Sequence, residues 1–145
     1  MKYATGTSVS IERSRVEIET IIRRYGASKF ATSWDDNESI IMFTCKERVV
    51  KFVVKMPSKE DAKETDGGKM RHSERTQKSW LEKESQRRWR ALLLCIKAKL
   101  ESVESEIETF DEAFLSHIVA ADRRTIYQHI TDSKSAIKLL SPASE

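Results

Sequence analysis

"KFATSWDDNESIIMFTCKERVVKFVVK", residues 29–55, decides the fold. The stretch is rich in β-branched and aromatic residues, and the polar breaks "DDNE" and "KER" cut it into three runs of strand length. Short breaks join neighbouring strands, so the expectation is a three-stranded antiparallel meander. Side chains alternate across a strand. Phe30, Thr32 and Trp34 therefore share one face of the first strand, Ile41, Phe43 and Cys45 one face of the second, and Val50, Phe52 and Val54 one face of the third. Lys51 and Lys55 point the other way.

Working outward, "SIERSRVEIETIIRRYG" at 10–26 reads as an amphipathic helix. Ser10 can cap it, Glu12 lies in its first turn, Arg23 and Arg24 in its last, and Gly26 can close it. Ile11, Ile18, Ile22 and Tyr25 fall on one side. On the other side of the strands, residues 57–76 are polar, with Pro57 and the Gly67–Gly68 pair, and read as a flexible connector. From about Gln77 a long helix is expected. Trp89, Leu92, Leu93, Ile96, Leu100, Val103 and Ile107 recur at three- and four-residue steps and form one narrow stripe. "TFDE" at 109–112 has the form of a capping box, with Thr109 as cap and Glu112 reaching back. It opens a short helix with Phe110, Phe114 and Ile118 on one side. "AADRR" is a turn, and "TIYQHITDSKSAIKLL" forms a last helix using Ile126, Ile130, Ile137 and Leu140. The expected architecture is α+β: a helix, the meander, then a long helix and one or two shorter helices packed on one sheet face. A chain of 145 residues suits one domain, made of 1–56, the connector 57–76 and the helical half 77–140.

Composition narrows the function classes. The net charge of +3 is mild and does not by itself demand an acidic partner. With 4 Gly and 2 Pro the chain has little material for a glycine-lined nucleotide cradle, and it lacks a Walker loop, a dinucleotide fingerprint and a nucleophile elbow. His72, His117 and His129 have no metal-ligand spacing, and neither Cys45 nor Cys95 has a close Cys or His partner. Both cysteines fall among apolar residues and are expected as buried thiols of a reducing compartment. Asp35, Asp36, Glu38 and Glu47 invite a metal-nuclease reading, but acids in turns serve the backbone. No catalytic residue, metal or cofactor is therefore expected. No run approaches a membrane span or a signal peptide, so a soluble cytoplasmic protein is expected.

Charge is segregated along the helical half. Residues 77–99 hold seven cations, Lys78, Lys83, Arg87, Arg88, Arg90, Lys97 and Lys99, against Glu82 and Glu84. Residues 100–115 hold six anions and no cation. On a helical wheel Lys83, Arg87, Arg90 and Lys97 rim one flank of the Trp89 stripe, and Arg88 and Lys99 the other. These cations either snorkel over the core edge or form a ridge for phosphates or for an acidic protein surface. Lys83, Arg87, Arg90 and Lys97, with Lys51 and Lys55 on the outer sheet face, are the candidate binding residues. Trp80, beside Lys78 and Lys83, either stacks a base or closes the core edge. Trp34 and Trp89 are expected in the core. Ala91, Leu94, Cys95 and Ala98 make a small-residue strip on the back of the long helix. It is either a packing site for the first or last helix or a homodimer seam.

The segments "RRWRALLLCIKAKLESVESEIETFDEAFLSHIV", "IIRRYGASKF" and "RVVKFVVKMP" resemble a family of small bacteriophage and prophage proteins. The likeness runs from the first helix to about Val119 and leaves the last 25 residues unplaced. It implies a phage or mobile-element setting inside a bacterial cell and carries no active site, so no residue role is transferred. In that setting the expectation is a non-enzymatic accessory protein that binds nucleic acid, DNA first, in replication or recombination. The alternative is an inhibitor that binds a bacterial host or defence protein, and a role in the virion is weaker.

Overall fold

The computed structural model describes residues 4, 8–64, 68, 70, 73–132 and 139–143. Helix α1 spans Ile11–Arg24, and strands β1, β2 and β3 span Lys29–Trp34, Glu38–Cys45 and Arg48–Lys55. Among the described residues there follow α2 at Lys59–Lys63, α3 at Glu74–Glu104, α4 at Phe110–Phe114 with a 3-10 turn at Leu115–His117, and α5 at Ile126–Thr131. This is the α+β order expected from the pattern.

The ends of α1 are chemically marked. The Ser10 hydroxyl accepts from the Arg13 amide at 3.2 Å. At the other end Gly26 takes φ +94°, while the Gly26 and Ala27 amides return to the Arg23 and Ile22 carbonyls. The sheet follows as an antiparallel meander in the order β1-β2-β3. Its first turn is closed by the Asp35 carboxylate, which accepts from the amides of Asn37 and Glu38 at 2.7 and 2.8 Å. The second is a tight hairpin with Cys45 opposite Arg48, where Lys46 and Glu47 both hold positive φ.

The inner sheet face carries Ser39, Ile41, Phe43, Cys45, Val50 and Phe52, all buried. Against it lie Ile18 and Ile22 of α1 and Trp89, Leu92, Leu93, Ile96 and Leu100 of α3. Phe114 of α4 closes one end, edge-on to Phe43 and Phe52 at 6.1 and 6.4 Å and stacked on Phe110 at 4.6 Å. The "TFDE" capping box forms as expected. Beyond it Val119 donates to the Val49 carbonyl at 2.8 Å, so residues 118–119 cover the outer edge of β3. The edge of β1 stays open among the described residues.

Five expectations change. Trp34 is 81% exposed rather than core. It ends an edge strand, where the space between it, Ile11, Met56 and Trp89 is an open groove of about 540 Å³. Cys95 is exposed, because no described element covers the back of α3. The long helix starts at Glu74, capped by Ser73, and stops at Glu104, so Ile107 lies beyond it and is 76% exposed. The connector contains α2, whose capping box is Ser58 with Asp61 and whose Ala62 is fully buried. Helix α5 ends at Thr131 and Leu140 is exposed, while Ile137 and His72 lie outside the described residues.

Candidate functional site

The cations of α3 are largely committed to the fold. Arg87 makes a bidentate pair with Glu84 at 2.9 and 2.7 Å. Arg88 reaches the same carboxylate at 3.1 Å and donates to the Lys55 carbonyl at 2.7 Å, tying α3 to the end of β3. Hydrogen bonds from Arg87 hold the Glu84 carboxyl below the usual range against the opposing effect of burial. Arg90 pairs with Glu17 of α1 at 2.9 Å. Lys99 donates to the Ala113 carbonyl at 2.8 Å and sits 5.8 Å from the Phe114 ring centroid, anchoring α4. Lys83 and Lys97 are exposed and make no ion pair among the described residues. Trp80 is half-buried.

The candidate residues do not converge. Lys83, Arg87, Arg90 and Lys97 belong to the helix layer on the inner side of the sheet. Lys51 and Lys55 lie on the opposite side, half-buried and exposed respectively. The strip Ala91, Leu94, Cys95 and Ala98 is not covered by α1 or α5: Leu94, Cys95 and Ala98 are exposed and Ala91 half-buried.

The outer sheet face holds a surface that the pattern left unremarked. Its cross-strand rows are Lys29, Thr44 and Val49, then Ala31, Met42 and Lys51, then Ser33, Ile40 and Val53, with Glu38 opposite Lys55. No described helix covers it. Val49 is 36% and Val53 48% exposed, and Ile40 and Met42 are half-buried. At one end the segment 119–123 rises beside the strands. Between them lies an open groove of about 650 Å³, lined by Met42, Val49, Lys51, Val119, Ala121 and Arg123. The face thus mixes aliphatic Ile40, Met42, Val49 and Val53 with basic Lys29, Lys51, Lys55 and Arg123 and the acidic Glu38, and it carries no aromatic ring. The sequence signal for it is the adjacent apolar residues of "IIMF" and of "VVKFVV", broken only by Lys51, where a half-covered sheet would alternate.

His117 stacks on Phe52 with ring centroids 4.0 Å apart, and burial, then nearby Lys99, pushes its pKa down. His129 and Asp122 pair at about 3 Å beside the α5 cap. No group of three His, Cys, Asp or Glu side chains is arranged to hold a metal ion among the described residues. No described helix is long and apolar enough to cross a membrane. No family model matches the chain, and neither a curated protein nor a solved structure does.

Proposed function

We propose that the protein is a non-enzymatic binding protein whose outer sheet face docks an acidic protein surface. The carrying observation is the aliphatic set Ile40, Met42, Val49 and Val53, which no described helix covers, with Lys51 beside Met42, Lys29 and Lys55 toward the two ends and Arg123 on the adjoining segment. Contiguous uncovered apolar surface with a polar rim is the ordinary form of a protein interface. A bacterial host or defence protein with a carboxylate-rich face is the partner class in the phage setting that the resemblance implies.

Nucleic acid is the second reading, favoured by the cations of the same face. It is weaker on two grounds. Sheet surfaces that bind single strands stack bases on aromatic side chains, and this face has none. The strongest cations of α3, Arg87 and Arg90, would have to leave Glu84 and Glu17 to grip phosphate.

One variant separates the two readings. Met42→Lys with Val53→Lys destroys the apolar middle and adds cations. Protein docking, followed as capture of a discrete partner from bacterial lysate, should be lost. Binding to DNA, followed by fluorescence anisotropy over a salt series, should be absent in the wild type. Salt-sensitive DNA binding that the two lysines strengthen would overturn the protein reading in favour of phosphate contacts.

A further inference from the structure

The chain itself carries a surface complementary to the outer sheet face. Helix α3 ends in a closed turn: the Glu106 amide returns to the Val103 carbonyl at 3.1 Å and the Ile107 amide to Ser102 at 3.0 Å. Glu106 holds φ +59° in the position that Gly26 fills at the end of α1. The turn is pinned further by the Ser102 hydroxyl, which donates to the Glu108 carboxylate at 3.0 Å. Ile107 is therefore a large apolar side chain held outward, 76% exposed, on a turn whose backbone is already satisfied. Around it the sequence places Glu101, Glu104, Glu106 and Glu108 without a cation. The outer sheet face has the opposite character at this groove: an aliphatic floor lined by Lys51 and Arg123, with Lys29 in the end row beside Thr44 and Val49, while Lys55 lies at the far end opposite Glu38.

We propose that the outer sheet face takes the Ile107 turn of a second copy of this chain. Ile107 enters the groove between Met42, Val49 and the 119–121 segment, and its glutamates meet the lysines of the face. This rests on the reading of that face as a protein-docking surface and names its occupant. The two surfaces differ, so the contact is heterologous: each copy offers one turn and one face. Opposite charges around an apolar contact set register and speed encounter, and make the association salt-sensitive.

Sedimentation velocity of the full chain from micromolar to millimolar concentration tests it. The wild type should associate with rising concentration and dissociate as salt is raised. A face variant, Val49→Asp with Lys51→Glu, and a turn variant, Glu104→Lys with Ile107→Lys, should each stay monomeric while keeping the wild-type circular dichroism spectrum. Mixed together they should form one-to-one pairs, because the face variant keeps its turn and the turn variant its face. If the face double variant unfolds, Lys51→Glu alone should weaken association. A wild type that stays monomeric throughout, or a mixture that fails to pair, overturns the second copy as occupant. Docking at the face then rests on partner capture with the Met42→Lys/Val53→Lys chain. A face variant that associates as the wild type does overturns the outer face as the seat of self-association.

Discussion

The two faces of one small sheet both carry aliphatic side chains and meet opposite fates. Inward, β2 and β3 place Ile41, Phe43, Val50 and Phe52 beneath α1, α3 and α4, with almost no exposure. Outward, the same strands place Ile40, Met42, Val49 and Val53 where no described helix covers them, with only the 119–123 segment beside Met42 and Val49. Residue type alone does not decide burial; the elements available to cover a face do. Among the described residues one layer of helices lies on the sheet, and the face turned from it keeps apolar surface that no described helix covers.

The comparison is broken or sharpened by substitutions on each side. The largest effect is expected inside. Phe43→Ala removes a fully buried ring packed on Phe114 and should cost about 3–5 kcal/mol of unfolding free energy in urea titrations. Glu84→Gln comes next. It leaves Arg87 and Arg88 half-buried without their shared carboxylate, and a loss of about 1–3 kcal/mol is expected. At the bottom of the scale, Val53→Thr on the outer face should stay within about 0.5 kcal/mol of wild type. A loss comparable to that of Phe43→Ala would mean that the outer face is covered in solution.

Proton linkage gives a further test of the inner face. Native His117 is harder to protonate than a free histidine, because it is buried on Phe52 near Lys99. Its neutral form costs nothing above the unfolded value of about 6.5. As pH falls through that value the unfolded chain takes up a proton that the native state refuses, so stability declines until the depressed native value is reached. His117→Gln should flatten that step in melting temperature plotted against pH. A further loss belongs to Glu84, whose contribution is complete above the ordinary glutamate range and disappears as pH falls through its lowered native value. Glu84→Gln should remove that part alone.

Much of the frame was legible. The meander, α1 with its Ser10 cap and Gly26 stop, the buried stripe of α3 and the capping box at Thr109 all follow from spacing and end chemistry. What escaped depended on contacts between distant segments. Trp34 alternates onto the inner face, yet the groove beside it stays unfilled. Cys95 has apolar neighbours in sequence, but Leu92, Leu93 and Ile96 face the core while Cys95 and Leu94 face away from it. The cations divide in the same way. Glu84 lies three and four residues before Arg87 and Arg88, a spacing that can be read as a helix-surface pair. The partner of Arg90 is Glu17, 73 residues away, and nothing local announces it. The outer face was in view as doubled apolar runs, but a strand buried on both sides gives the same runs.

Helix α3 has 31 residues and is about 46 Å long, more than the core beneath it can hold. All its buried side chains fall between Trp89 and Leu100. Between Glu74 and Lys83 no side chain is fully buried; Gln77, Trp80 and Leu81 are half-buried and the others exposed. Along a single rod, amide protons should therefore exchange on two clocks. Those near Leu93 and Ile96 wait for global unfolding, while those near the Ser73 cap open by fraying, long before the core responds. A protease or a partner can consequently engage the first turns of α3 without disturbing the sheet. Trimming the helix from that end should shorten it by degrees rather than unfold the domain in one step.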